Sequence, residues 1–399
     1  MTFWNDPINV AYTWATGLLT GWGLTDLAAT IIAWLVGGLL LATFAMVVDI
    51  FLVWIERKVV SRFQGRIGPN RIGPFGLIQP FADIIKLLIK EDIVPTGADK
   101  LVFTLAPIIS MASVVILWAV VPLAPTIFGT DLNVAVLYII AAGALGTLSV
   151  IMAGWGSNNK YALLGAYRTV ATMISYEIPM VVMLLIPVVL SGKMGFFGII
   201  NAQDAWWCVV YAPAAVIIFL ICAIAELGRA PFDLNEGESE IVAGFHIEYS
   251  GMKFGMFYAG ELLHTFTFGG IIATLFFGGY RFFGWEEIHP LVAVLIFFAK
   301  STFFYWIIMW VKYTMMRIRI DHMLAFNWKF LTPVSFALLI LVAIMNNVLQ
   351  GAGSWVYALG MFLSNVVFAW IIVELLRSNA RREREAKEPA APVAEAAHH

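Results

Sequence analysis

Apolar runs alternate with short polar connections along almost the whole chain. Nine runs approach the roughly 20 residues that an α-helix needs to cross a bilayer. They fall at 27–55, 101–123, 134–154, 169–190, 207–225, 254–279, 291–311, 331–347 and 355–376. The first is long enough to tilt, and the eighth is on the short side. Before them, residues 1–25 are mixed, with Trp4, Trp14 and Trp22 spaced like interfacial anchors. A different period follows Pro80. Phe81, Ile84, Ile85, Leu88 and Ile89 fall on one helical face, with Asp83, Lys86 and Lys90 on another. That spacing predicts an amphipathic helix lying on the membrane surface. The expected architecture is an all-α polytopic membrane protein, a bundle of about nine transmembrane helices with a surface amphipathic helix.

Composition agrees with the pattern. Of 399 residues, 61% are hydrophobic and 13% charged, whereas soluble domains carry about 25% charged residues. A net charge of -2 argues against a nucleic-acid partner. Cys208 and Cys222 lie in one apolar run and cannot supply the four thiolates of an iron–sulfur cluster. No metal ligand set is assigned, and His398 and His399 are read as tail residues. Any redox centre is therefore expected on partner chains.

The basic residues fix an orientation. With the N-terminus outside, all of the 24 Lys and Arg except Lys193, Arg281 and Lys300 fall on the inner connections and tail, as the positive-inside rule requires. The long polar connections 56–100, 155–168, 226–253 and 312–330 then share the cytoplasmic face. Residues 1–376 form one helical domain, and the charged, Ala/Pro-rich stretch 377–399 is expected to be a disordered cytoplasmic tail.

Acids stand where they are costly. An ionisable group at membrane depth costs about 2.5–3.5 kcal/mol on insertion scales and marks a functional site. Glu226 ends the fifth run, and Glu177 lies inside the fourth beside Tyr176, a possible hydrogen-bond donor to it. Glu261 and His264 share a face of the sixth, and Lys300 sits in the seventh, either neutral or paired with one of the acids. Asp49 in the first run fits a proton path or a snorkel toward the interface, and the snorkel is preferred. The connection 226–253 gathers Arg229, Asp233, Glu236, Glu238, Glu240, His246 and Glu248. Glu236, Glu238 and Glu240 share one side if the segment is extended. Such crowding pushes carboxyl pKa values up, although a solvated acidic loop is an equally plain reading.

The stretches ERK, QGRIGPNRIGPFGLIQPFADIIKLLIKE, WGSNNKYALLGAYR, SYE, AELGRAPFDLNEGESEIVAGFHIEYSGMKF and the later R-x-R-x-D and WK resemble, in order, the quinone-chamber membrane subunit family of respiratory complex I (the H subunit of bacterial type-1 NADH:quinone oxidoreductase). The resemblance covers about 49–329. It implies eight core helices plus one here, and a quinone access tunnel shared with peripheral-arm subunits. One of those subunits holds the terminal iron–sulfur cluster. This chain is expected to bind no cofactor, with flavin and clusters on partners, and to sit in the bacterial plasma membrane beside other membrane-arm subunits. By motif position the tunnel and chamber involve Glu56, Arg57, Lys58, Asp83, Arg229, Phe232, Asp233, Glu236 and Glu238. The implied proton path involves Tyr176, Glu177, Glu226, Glu240, Glu248 and Glu261, and the partner-facing basic loop Arg317, Arg319 and Asp321. The sequence departs from the family pattern at Thr172, Gly228, Leu262, Lys312 and Met316, where Gln, Asn, Tyr, Arg and Pro are usual. No acid is lost by these changes. The alternatives are a membrane anchor for a hydrogenase-type or other redox module and a stand-alone proton-coupled transporter. No inverted repeat supports the latter.

Overall fold

A computed structural model describes residues 6–234, 237–351 and 353–387, leaving aside the side chains of 238, 239 and 383–387. The elements in order are α1 (Pro7–Gly21), α2 (Asp26–Phe63), α3 (Gln79–Ile89), α4 (Lys100–Trp118), α5 (Ala135–Gly156), α6 (Lys160–Ser191), α7 (Phe196–Ala202), α8 (Cys208–Tyr211), α9 (Pro213–Glu226), α10 (Glu238–Ile241), α11 (Gly251–Phe276), α12 (Pro290–Thr314), α13 (Ile320–Phe326), α14 (Thr332–Val348) and α15 (Ser354–Lys387). Among the described residues no strand occurs. Eight helical segments are long and apolar enough to span, with α13 and α14 counted as one.

The difference from nine lies in the fifth apolar run. Ala212 is not helical and Pro213 starts a new helix, because proline lacks the N–H that would continue α8. α9 keeps 14 residues, about 21 Å at 1.5 Å per residue, against a bilayer core of roughly 30 Å. The Gln203 carboxamide closes the broken end. Its Oε1 accepts from the backbone N–H groups of Cys208 and Gly278.

Other boundaries also move. Residues 7–21 form a helix capped by Asp6, where the sequence suggests only anchors. α2 runs 38 residues, so Glu56, Arg57 and Lys58 sit on its C-terminal end rather than in a loop. α6 begins at Lys160, ahead of the expected run at 169–190, which places Glu177 roughly 25 Å along the helix. α14 is preceded by a π turn, Asn327–Leu331, that joins it to α13. The last helix continues past Arg377 to Lys387, so the first part of the expected disordered tail is helical. Residues 388–399, with His398 and His399, lie outside the described residues.

α11 is the centre of the bundle, with most of its apolar window buried. It packs against α12 and α4, and α6 packs against α5 and α9. Gly269 permits a close approach of α11 to α12. A Cβ there would stand 2.6 Å from the Ser301 carbonyl oxygen, so only a small residue lets α11 and α12 touch backbone to backbone. Trp118 Nε1 donates to Thr267 Oγ1 at 2.9 Å and ties α4 to α11. The apolar faces of α2 and α15, including Leu35, Leu39, Leu363 and Trp370, are exposed, as lipid-facing surface should be. α3 leaves Phe81, Ile85, Leu88 and Ile89 exposed, as the surface-helix reading expects.

Candidate functional site

The C-terminal ends of α2 and α12 and the N-terminal end of α11 converge on one carboxylate. Glu56 is 3% exposed. Its Oε1 accepts from Lys312 Nζ at 2.8 Å and from the Tyr313 hydroxyl at 2.7 Å, and its Oε2 from the Tyr258 hydroxyl at 3.2 Å. Arg229, in the connection after α9, completes the cluster. Its Nη1 stands 3.9 Å from Glu56 Oε1, and its Nε 3.0 Å from Glu261 Oε1. Burial works against the charge on Arg229, but Glu261 and Glu56 outweigh it and hold its pKa above the ordinary arginine value. Two cations thus face two carboxylates in a largely buried pocket, with Glu56 and Arg229 the most enclosed. Charged hydrogen bonds are strong there, and an unmatched partner is costly.

A line of polar groups leads away from this cluster. Glu226, Tyr258, Glu261, His246 and His264 line a cavity of about 100 Å³. Glu177, Glu226 and His264 line a second of about 20 Å³ between α5, α6, α9 and α11. Glu226 and His264 border both. Glu226 Oε2 is buried without a hydrogen-bond partner among the described residues. The expected sharing of a face by Glu261 and His264 is therefore observed. The His264 ring packs on Phe268 at 4.8 Å.

The remaining candidates form a rim. Arg57 pairs with Asp83 at 2.5 Å and ties α2 to α3, which accounts for the acid on a surface helix. Lys58 lies 5.9 Å over the Trp54 ring. The loop between α2 and α3 folds tightly because Gly76, at φ +77°, has no Cβ to strike the Pro69 carbonyl. Arg57, Arg66, Asn70 and Arg71 line a broad cleft there. Glu240 accepts from Arg168 and, at 3.4 Å, from Arg317. Arg319 pairs with Asp321 at 2.9 Å, both exposed. Glu248 accepts from Asn159 Nδ2 at 2.6 Å. Phe232 is buried against the Tyr176 ring at 5.3 Å, and Asp233 Oδ1 is buried without a partner among the described residues. Glu236 and the Glu238 side chain lie outside the described residues.

The geometry corrects several expectations. Tyr176 does not serve Glu177; its hydroxyl donates to the Met323 carbonyl at 3.0 Å, since adjacent helical residues point about 100° apart. Residues 238–241 form a helical turn rather than an extended row. The Glu240 carboxyl is not pushed up by its acidic neighbours. The hydrogen bond from Arg168 holds it below the usual carboxylate range. Lys300 pairs with no acid among the described residues. Its Nζ donates to the carbonyls of Phe277, Gly279 and Arg281 and lies 4.7 Å from the Trp207 ring, closing the end of α11.

Known proteins are similar to this chain over most of its length. A family profile described as NADH dehydrogenase matches residues 36–343. The chain belongs to this NADH dehydrogenase family. The H subunit of NADH-quinone oxidoreductase from Dehalococcoides mccartyi is 47% identical over 300 residues, 75% of this chain and 83% of the relative. The protein of the same name from Phocaeicola vulgatus is 39% identical over 343 residues, 83% of this chain and 96% of the relative. That of Brevibacillus brevis is 43% identical over 305 residues, 75% and 89%. The region matched by the family profile contains every member of the buried cluster and both cavities, while α1 and α15 lie outside it.

Tyr258, Tyr313 and the partnership of Lys312 with Glu56 are not among the residues that the sequence singles out. By sequence Lys312 belongs to a basic loop, yet α12 extends to Thr314 and carries it inward. A signal is present. Tyr305 and Lys312 are seven residues apart, close to two turns on one face of an apolar helix, and both are polar.

Proposed function

We propose that this chain is the quinone-chamber membrane subunit of a proton-translocating NADH:quinone oxidoreductase, respiratory complex I. It carries no redox centre of its own; flavin and iron–sulfur clusters belong to partner subunits of the peripheral arm. The chain lies in a bacterial plasma membrane, N-terminus outside and C-terminus in the cytoplasm, beside further membrane-arm subunits.

The observation that carries this reading is the buried Glu56–Arg229–Glu261–Lys312 cluster with two cavities leading from it to Glu226 and Glu177. In this reading the tunnel and chamber are formed by Glu56, Arg57, Lys58, Asp83, Arg229, Phe232, Asp233, Glu236 and Glu238 together with partner residues. Polar groups guide the quinone headgroup, and apolar walls hold its tail. Reduction of a quinone to the quinol takes two electrons from the partner's cluster and two protons. Charge arriving near Arg229 and Lys312 competes with Glu56 and Glu261 for those cations. A carboxylate that loses its cation in a low-dielectric site becomes a stronger proton acceptor. The acids from Glu261 through Glu226 to Glu177 then pass the change toward the membrane arm. Tyr176, Glu240 and Glu248 brace the loop that borders them. Arg317, Arg319 and Asp321 face the peripheral arm.

The test uses the assembled complex in membranes, with assembly checked on a native gel. Glu226→Gln should lower the protons pumped per electron while quinone reduction continues. An unchanged pumping ratio in an assembled Glu226→Gln complex would remove Glu226 from the path and, with it, the coupling role.

A further inference from the structure

One titratable pair lies behind the buried cluster rather than in it. Asp49 stands on α2 seven positions before Glu56, and Tyr305 on α12 seven positions before Lys312. Seven residues is close to two helical turns, so on each helix both side chains share a face about 10 Å apart. The Glu56–Lys312 contact therefore has a second layer behind it, deeper in the bundle. Asp49 is 5% and Tyr305 1% exposed. Asp49 Oδ1 and the Tyr305 hydroxyl are both buried without a hydrogen-bond partner among the described residues. The layers communicate. Tyr305 lies within electrostatic reach of Glu56, Arg229, Tyr258 and Asp49, and Asp49 within reach of Glu56.

What faces Asp49 decides its state. Among the described residues no cation stands within ion-pair distance of it; Arg229 and Lys312 are engaged by Glu56 and Glu261. Glu56 and Tyr305 are the titratable groups within electrostatic reach of Asp49. On the neighbouring helices, Tyr258 and Glu261 of α11 belong to the Glu56–Arg229 cluster, and α4 has Lys100 at its first position as its one titratable residue. A bare carboxylate here would be an uncompensated buried charge. In this structure the Tyr305 hydroxyl bonds neither Asp49 nor Glu56. A neutral carboxyl has an O–H to donate and the Tyr305 oxygen is an open acceptor, so a side-chain rotation or one bridging water joins them.

We propose that Asp49 is a proton-holding residue that exchanges its proton with the Glu56 cluster through Tyr305. The proposal rests on the quinone-chamber reading above. A negative headgroup near Lys312 or Arg229 draws those cations from Glu56 and makes Glu56 the better acceptor. The Asp49 carboxyl then gives its proton to the Tyr305 oxygen as the Tyr305 hydroxyl releases its own toward Glu56. Asp49 ends as a carboxylate, Glu56 ends neutral and the tyrosine is unchanged. The return of the cations to Glu56 reverses the exchange.

Redox-difference infrared spectroscopy of the assembled complex, reduced with NADH, tests this. The wild type should show the carbonyl stretch of a protonated carboxyl disappearing on reduction. Asp49→Asn should abolish that band, and Tyr305→Phe should shift it. A band left unchanged by Asp49→Asn in an assembled complex overturns the proposal. If Asp49→Asn fails to assemble, Tyr305→Phe decides, because a band it neither shifts nor removes is equally fatal. Failure of the chamber reading has a separate signature: an assembled Arg229→Gln complex that reduces quinone at the wild-type rate.

Discussion

Lys312 to Glu56 and Arg319 to Asp321 are ion pairs of nearly equal length, 2.8 and 2.9 Å. Their side chains are 19% and 4% exposed in the first pair, and 75% and 68% in the second. The difference is one of consequence rather than attraction. In water the second pair can come apart and each charge finds solvent, so such pairs contribute about 0–1 kcal/mol. In the first, Glu56 has almost no solvent to fall back on and Lys312 little, and removing one strands the other, at about 3–5 kcal/mol. The long segments α2, α11 and α12 carry the buried network at one shared end of the bundle. The short element α10 and the loop after α12 carry the exposed one. Chemistry that must sense a charge belongs to the first, and docking that must be reversible to the second.

The most severe way to break the contrast is Glu56→Ala. It strands Lys312 and two tyrosine hydroxyls and leaves Arg229 with Glu261 alone. A loss of about 3–5 kcal/mol is expected, read as loss of assembled complex on a native gel, while Arg377→Ala, which breaks an exposed pair with Glu374 on α15, should leave assembly unchanged. Equal losses from both would show that burial does not set the ranking.

A smaller effect tests the border between the two regions. His246 lines the larger cavity from the loop side, and burial holds its pKa at about 4, below the ordinary histidine value of 6.5. Its folded value is the lower one. Its contribution is therefore fully present above pH 6.5 and is lost as pH falls from 6.5 toward 4, because the unfolded chain takes the proton first. Hydrogen exchange across the 226–253 connection should accelerate through that window in the wild type. In His246→Gln the acceleration should flatten. A variant with the same pH dependence as the wild type would place the titration on another group.

How much of this is legible in the sequence follows from what each feature depends on. The spans follow from the length of apolar runs, a local property, and eight of the nine expected spans have a counterpart. Prolines divide the outcome. Pro107, Pro179 and Pro187 sit inside helices that continue, whereas Pro213 starts a new one. Whether a proline bends a span or divides it depends on packing such as that around Gln203, which no local pattern carries. Glu226, Glu261 and Arg229 are legible as expensive charges and through their motifs. Their partners are not. Glu56 meets Tyr258, Lys312 and Tyr313 across more than 200 residues of chain. The same kind of distance hides the arrangement of Glu240, whose acidic neighbours in sequence suggest a raised pKa. Arg168, from the start of α6, reverses the sign.

That reversal gives the smallest predicted effect. The hydrogen bond from Arg168, with the nearby Arg317, lowers the Glu240 pKa from the ordinary glutamate value of 4.5. A depressed folded pKa means that the contribution is present above the unfolded value and is lost as pH falls through the folded one. Glu240→Gln should therefore loosen the 226–253 connection slightly at neutral pH, within the roughly 0–1 kcal/mol of a solvent-exposed pair. The gap between wild type and variant should narrow below pH 4.5 and also narrow as salt is raised. Hydrogen exchange of the α10 amides at two pH values and two ionic strengths measures it. A gap that is insensitive to both would mean that Glu240 acts as a buried charge does, and the distinction between the two regions would then rest on Glu56 alone.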